Sequence, residues 1–77
     1  MTDKRRDSIE IYKDILKISE PGVIKTQIVY GANLNFDIAG RYIDKLITNG
    51  LLTLDGKMYT TTEKGMEYIT AVENIVL

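Results

Sequence analysis

The sequence of 77 residues contains neither cysteine nor histidine. Without cysteine the chain can form neither a disulfide nor a thiolate metal site, and such usage is typical of a reducing, intracellular setting. Without histidine it also lacks the commonest general base and the side chain that titrates near neutral pH. Because these absences remove most nucleophile–base pairs and zinc sites, we expect neither an enzyme nor a bound cofactor or metal.

The chain also has little net charge and no long apolar run. Its apolar runs are only a few residues long, which is too short to span a membrane, so we expect a cytoplasmic protein. The formal net charge is −1, although a domain that binds duplex DNA is usually basic. Residues 24–61 carry four basic and three acidic groups, whereas residues 62–77 carry one and three, so the small positive excess lies in the middle of the chain.

The chain is short enough to form one domain, residues 1–77, and its first periodic segment is an amphipathic helix. Asp7 or Ser8 can cap this first helix. The helix must end near Ser19, because Pro21 restricts the residue before it to extended conformations. The inward residues are Ile9, Tyr12, Ile15 and Leu16, and a second face holds Ile11 and Ile18.

Two helical patterns joined by a short break follow the first helix. In the break, Gly31 lets another backbone approach closely, Asn33 tolerates a left-handed conformation and Asn35 is a good N-cap. The third helix ends at Asn49–Gly50, which has C-cap chemistry. The inward residues are Ile24, Ile28 and Ala32 in the second helix and Phe36, Ala39, Gly40, Ile43, Leu46 and Ile47 in the third.

The next segment, LLTLDGKMYTTT, has the pattern of a β-hairpin, with Asp55–Gly56 as its tight turn. A fourth helix of about sixteen residues follows, capped by Thr61 or Thr62. Three helices, a two-stranded wing and a C-terminal helix 4 are the parts of a winged helix-turn-helix, a mainly α (α+β) fold. The commonest use of this fold is DNA binding.

The outward face of the third helix mixes basic, aromatic and apolar side chains. Arg41 can reach a guanine edge or a phosphate, Lys45 a phosphate, and Tyr42 a phosphate or sugar. An exposed Ile38 can contact a thymine methyl group. Further phosphate contacts are expected at the positive N-terminus of the second helix and at the tip of the wing. The predicted DNA-binding residues are Lys25, Thr26, Asn35, Ile38, Arg41, Tyr42, Lys45 and Lys57.

Two alternatives use the same outward face. Arg41 can pair with Asp37 or Asp44 on a plain solvated surface, where such ion pairs are nearly neutral. Ile38 and Tyr42 can instead form an apolar anchor for another protein. The predicted function is therefore double-stranded DNA binding, and the alternative is a protein–protein interaction module on a winged-helix scaffold.

Residues 62–77 are predicted to form a C-terminal dimerisation helix. Sixteen helical residues span about 24 Å, which should overhang so small a core and leave the apolar Ile-Val-Leu end exposed. A symmetric homodimer through this helix buries the end, and the alternative is a monomer whose tail folds back onto the first helix. The predicted interface residues are Ile11, Ile18, Tyr68, Ile69, Val72, Ile75, Val76 and Leu77.

Three motifs, YGANL in the turn, GRYIDKL in the third helix and TEKG at the start of the fourth, carry a family resemblance. Over roughly residues 9–70 the chain resembles the archaeal winged-helix chromatin proteins of the ten-a type from Sulfolobus. The resemblance implies a dimeric, sequence-tolerant double-stranded DNA binder at the nucleoid, with the third helix in the major groove, acting as a chromatin component or a transcriptional regulator. Relatives typically continue the fourth helix into a long antiparallel coiled coil, and we expect a shortened one here.

Overall fold

The computed structural model describes residues 7–75 of the chain. Within that range, the structure has four helices and a two-stranded antiparallel sheet. The elements are α1 (Ser8–Ile18), α2 (Lys25–Gly31), α3 (Phe36–Thr48), β1 (Leu52–Asp55), β2 (Met58–Thr61) and α4 (Glu63–Ile75). This order confirms the predicted winged helix-turn-helix fold, with three helices, a wing and a fourth helix.

Helix α1 begins and ends as its capping residues predict. The Asp7 carboxylate accepts a hydrogen bond from the Glu10 N–H at 2.9 Å, and Ser19 is the C-cap residue. The inward face was predicted wrongly at one position, because Ile9 is 53% exposed whereas Ile11 is only 8% exposed. Ile9 lies two turns before the buried Leu16 on the same side of the helix, beyond the edge of the core.

The turn between α2 and α3 has the predicted geometry. Asn33 adopts a left-handed conformation with φ of 58°, and Asn35 caps α3 by accepting a hydrogen bond from the Ile38 N–H at 2.7 Å. Gly31 is where α2 passes α1, since a Cβ atom there would lie 2.9 Å from Cδ1 of Ile18. Ile24 was predicted to face inward but is exposed, because it is the extended N-cap residue and does not follow the helical spacing of α2.

The wing is a hairpin of two four-residue strands, in which Leu52 pairs with Thr61 and Asp55 pairs with Met58. The two turn residues are therefore 56 and 57, one position later than predicted. Gly56 has φ of 64°, and a positive φ at the first central position is typical of a type II′ turn. Val23 forms an isolated antiparallel bridge with Tyr59, which ties the segment before α2 to the wing.

The core lies where α1, α2 and α3 meet the base of the wing and the middle of α4. Leu52 brings the first strand into this core, and Ile69 brings in the fourth helix. The buried apolar residues are Ile11, Ile15, Leu16, Val23, Ile28, Val29, Ala32, Ala39, Ile43, Leu46, Leu52 and Ile69.

Helix α4 is fixed at its start by threonine hydroxyls. The Thr62 hydroxyl accepts a hydrogen bond from the Gly65 N–H at 3.0 Å and donates one to the Gly50 carbonyl at 2.7 Å. Of the two predicted caps, Thr61 and Thr62, Thr62 therefore caps α4. The Thr61 hydroxyl donates to the Leu16 carbonyl at 2.6 Å, which joins the wing to α1.

The residues predicted for the dimer interface have different surroundings. Ile11 and Ile69 are buried in the core of the chain itself, so the prediction that these two side chains contact a partner is wrong. Ile18 and Tyr68 are partly buried against the same core, and Val72 is half-buried. Burial raises the pKa of the Tyr68 hydroxyl above its ordinary value. The Ile75 side chain and residues 76 and 77, predicted to complete the interface, lie outside the described part of the structure.

Candidate nucleic-acid interface

Arg41 and Asp37 lie on the outward face of α3 and form an ion pair between Nη2 and Oδ2 at 3.5 Å. The two side chains are 75% and 85% exposed. Ion pairs as exposed as this one contribute about 0–1 kcal/mol, since water screens both charges. Arg41 can therefore leave Asp37 for a phosphate with little loss of stability.

Tyr42 is less exposed than the sequence predicted. Its ring packs edge-on against Tyr12 of α1, with 4.9 Å between the ring centroids, and its hydroxyl lies 3.3 Å from the Ser8 hydroxyl. Ile38, Arg41 and Lys45 border the same place, an open groove of about 330 Å³ between α1 and α3. The structure thus brings four of the predicted contacts together in what we call the α1–α3 groove: Ile38, Arg41, Tyr42 and Lys45.

A second open groove, the α2–wing groove, has a volume of about 370 Å³ and lies between the start of α2 and the tip of the wing. It is lined by Lys25 and Thr26 from one side and by Lys57 from the other. These residues are more than thirty positions apart in the sequence, and the bridge between Val23 and Tyr59 holds their two segments together. Three further predicted contacts are thereby gathered at one place.

Lys25 connects the α2–wing groove to α3. Its ammonium nitrogen would lie 3.3 Å from a Cβ atom at Gly40, and it lies 5.9 Å from the centroid of the Phe36 ring. The missing side chain at Gly40 therefore leaves room for the lysine to cross the start of α3. A basic group thus lies between the wing and the outward face of the third helix.

Asn35 is the predicted contact that neither groove contains. Its side-chain oxygen is already used, since it caps α3 through the Ile38 N–H. The side-chain amide nitrogen keeps its two donors for another group. The main structural role of Asn35 is therefore to cap the start of α3.

Sequence reasoning missed two aromatic residues at the surface. Phe36 was predicted to face inward but is 49% exposed, and Tyr30 at the end of α2 is 72% exposed. The rings meet edge-on, with centroids 6.4 Å apart. The available signal was position, because Phe36 directly follows the N-cap Asn35 and so lies at the very start of α3.

The family comparison agrees with this geometry. The family described as winged helix-turn-helix matches residues 5–76. The chain belongs to the winged helix-turn-helix family. Two uncharacterised proteins of Methanocaldococcus jannaschii are similar to this winged helix-turn-helix chain. One is 35% identical over 69 residues, which cover 88% of this chain and 71% of the relative. The other is 33% identical over 72 residues, which cover 92% of this chain and 34% of the relative.

A solved structure confirms the resemblance to the ten-a type. The crystal structure of Sso10a-2, a DNA-binding protein from Sulfolobus solfataricus, superposes with a TM-score of 0.83 at 35% identity, over 92% of this winged helix-turn-helix chain and 79% of that one. An O-methyltransferase from neocarzinostatin biosynthesis gives a TM-score of 0.57 at 24% identity, over 79% of this chain and 20% of the enzyme. At that identity the second likeness concerns the fold alone.

None of the helices within residues 7–75 is long and apolar enough to cross a membrane. The same residues include no group of three or more acidic side chains that could hold a metal ion.

Proposed function

We propose that this winged helix-turn-helix protein binds double-stranded DNA through the outward face of α3 and the α2–wing groove. The observation that carries the proposal is the position of Lys25, which lines the groove with Lys57 and also reaches across the start of α3. A surface that joins a helix to flanking basic groups suits a duplex, whose major groove admits one helix and whose phosphates border that groove. The structural likeness to the DNA-binding protein Sso10a-2 supports the same proposal.

In this arrangement α3 enters the major groove, and the lysines bind the phosphates on either side. Lys25 and Lys57 contact one strand near the wing, with the Thr26 hydroxyl as a further donor. Arg41 and Lys45 contact bases or phosphates along α3. Because Arg41 is already exposed and only weakly paired, its transfer from Asp37 to DNA requires little rearrangement.

Acidic groups on the same surface limit the strength of this binding. Asp37 and Asp44 lie on the exposed side of α3, and Asp55 ends the first strand of the wing. Residues 24–61 thus have a net charge of only +1. We therefore expect modest affinity that depends on the fit of particular side chains more than on bulk charge attraction.

The proposed cellular role is that of a chromatin component or a transcriptional regulator, located at the nucleoid in the cytoplasm. Sequence selectivity separates these roles, because a chromatin component covers most sequences and a regulator occupies few. Binding to a library of random duplexes distinguishes them. Nearly uniform occupancy supports the chromatin role, and enrichment of one sequence supports the regulatory role.

The dependence of DNA affinity on salt tests the binding proposal. If Lys25, Arg41, Lys45 and Lys57 each neutralise one phosphate, a plot of log affinity against log salt has a slope of about −3.6 per subunit. The double substitution Lys25→Ala and Lys57→Ala should reduce the magnitude of that slope by about 1.8. Titration of a fluorescent duplex between low and moderate salt measures both values.

A matched control is available on α1. Lys13 and Lys17 pair with Glu10 and Glu73, outside both grooves, so replacing these two lysines with alanine removes the same charge without touching the proposed interface. The slope should then stay near that of the parent. Absence of measurable affinity at low salt, or equal flattening by both double variants, contradicts the proposal.

The protein-interaction alternative has less support than the sequence suggested. It needs Ile38 and Tyr42 to form one exposed apolar strip, but the Tyr42 ring is packed against Tyr12 and its hydroxyl lies beside Ser8. Much of the aromatic surface that would anchor a partner is therefore already covered by α1.

We further propose that the protein is a homodimer through residues 62–77. Support comes from the outer side of α4, where an exposed Met66 and neighbouring Thr70 and Ala71 border a shallow groove of about 390 Å³. Val72, the next residue of the helix after Ala71, is half-buried. Light scattering should give twice the chain mass of 8.7 kDa, and a monomer at micromolar concentration contradicts this assembly.

A further inference from the structure

Two exposed aromatic rings lie at the point where α3 begins. Phe36 is the first residue of that helix and is 49% exposed, although its neighbours on the inward face are buried. Tyr30 packs edge-on against it, with an angle of 80° between the ring planes. A half-exposed phenylalanine lacks part of the hydrophobic stabilisation that full burial in the core would provide. Its position therefore suits contact with something outside the subunit.

Neighbouring side chains hold the Phe36 ring in place from two directions. Tyr30 meets one edge of the ring, and the Lys25 ammonium group lies 5.9 Å from the ring centroid. A cation at that distance is attracted by the negative face of the ring. One turn later, Gly40 presents no side chain, and the Lys25 ammonium group lies in the space that this leaves. The ring is thus fixed and accessible on the same side of the molecule as Lys25.

The chemistry of the ring limits what it can recognise on a duplex. In helix-turn-helix proteins, the N-terminal residues of the recognition helix contact base edges in the major groove. Phe36 has no donor or acceptor, so hydrogen-bonding base edges offer it nothing. The apolar feature of the major groove is the C5 methyl group of thymine, which phenylalanine and other apolar side chains contact.

We propose that Phe36 contacts a thymine methyl group and gives this protein a preference for thymine at one position of its binding site. This inference rests on the proposed DNA binding through α3 and goes beyond it by naming the base feature that is read. Tyr30 is a positioning residue in this scheme, since it holds the edge of the Phe36 ring. Lys25 contributes the adjacent phosphate contact.

Paired polymers that differ only in the methyl group test the proposal. Alternating poly(dA-dT) and poly(dA-dU) duplexes carry the same charge, so at fixed salt their backbone contributions to affinity are equal. The parent should bind the thymine polymer more tightly by about fourfold for each methyl group it buries, from the transfer free energy of one such group. Phe36→Ala should weaken binding to the thymine polymer and make the two affinities equal.

Three further variants sharpen the result. Phe36→Leu keeps an apolar side chain and should keep part of the thymine preference. Ile9→Ala removes an exposed isoleucine at the start of α1, outside both grooves, and should change neither affinity. Ile38 lines the α1–α3 groove and is the competing candidate for a thymine contact, so comparing Ile38→Ala with Phe36→Ala shows which of the two residues carries the preference.

The possible outcomes distinguish a failure of this inference from a failure of the proposed DNA binding on which it rests. If the parent binds neither polymer at low salt, where sequence-independent phosphate contacts are strongest, DNA binding itself is wrong. If the parent binds both equally, or if Ile38→Ala abolishes the preference while Phe36→Ala keeps it, only the assignment of Phe36 is overturned. A change in oligomeric state on Phe36→Ala, seen by light scattering without DNA, also overturns it, because the ring would then contact a second copy of this chain.

Discussion

Gly65 lets the start of α4 lie directly against the residue that precedes the wing. A Cβ atom at this position would overlap the Leu51 carbonyl oxygen and would lie 2.6 Å from Cγ2 of Thr61. The same carbonyl accepts a hydrogen bond from the Thr62 N–H at 3.0 Å. Gly65→Ala should therefore push α4 away from the base of the wing.

The magnitude follows from three contributions. Overpacking of a well-packed site typically costs about 1–3 kcal/mol, and loss of the Thr62–Leu51 hydrogen bond about 0.5–1.5 kcal/mol. Replacing glycine by alanine within a helix returns about 1 kcal/mol at most. The net loss in the free energy of unfolding is about 2 kcal/mol, which for a domain of this size lowers Tm by about 8–16 °C.

Urea denaturation followed by circular dichroism measures this loss, and Gly40→Ala is its matched control. A Cβ atom at Gly40 would meet only the end of the flexible Lys25 side chain, at 3.3 Å. Gly40→Ala should therefore stabilise the protein by about 0.5–1 kcal/mol, because it restricts the unfolded chain without a backbone clash. If Gly65→Ala is as stable as the parent, or if both variants lose equal stability, the packing argument is refuted.

Two smaller effects concern a cap and an ion pair. Asn35→Ala should destabilise the protein by about 1 kcal/mol, because the Ile38 N–H loses its acceptor. Asn35→Asp keeps an acceptor and should keep most of the stability. Equal losses for the two variants in denaturation experiments would contradict the capping role. The hydrogen bond from Lys17 at 2.9 Å lowers the pKa of the Glu73 carboxyl, so the stabilisation from Glu73 is present above the ordinary pKa of 4.5 and is lost as pH falls through the lowered value. An NMR titration should show this pKa rising towards its ordinary value in Lys17→Met, and an unchanged pKa would exclude the pair as its cause.

Local signals in the sequence were sufficient wherever one residue type has a strong conformational preference. Asn33 adopts the left-handed conformation, Asn35 caps α3 and Thr62 caps α4, all as predicted. These residues decide backbone geometry within a few positions of themselves, so no knowledge of distant contacts is needed. The turn of the wing lies one residue later than predicted, because the choice between adjacent turn positions depends on how the two strands pair.

The spacing of apolar residues predicted the amphipathic helices but not how far their buried faces extend. Ile9 and Phe36 both follow the helical spacing of inward residues, yet each lies in the first turn of its helix and is about half exposed. Burial depends on whether a neighbouring element reaches that turn, and the spacing of residues along one helix contains no information about this. Ile11 is buried because α1 packs against three other helices at once.

The sequence by itself therefore determined the order of elements, the helix-turn-helix and the types of side chain available on α3. Only the tertiary structure decided which of those side chains share a surface. The bridge between Val23 and Tyr59 brings Lys57 to Lys25, the missing side chain at Gly40 lets Lys25 reach α3, and Tyr30 holds Phe36 in the open. The physical reason is that capping and turn preferences act over a few residues, whereas a binding surface depends on contacts between segments that are distant along the chain.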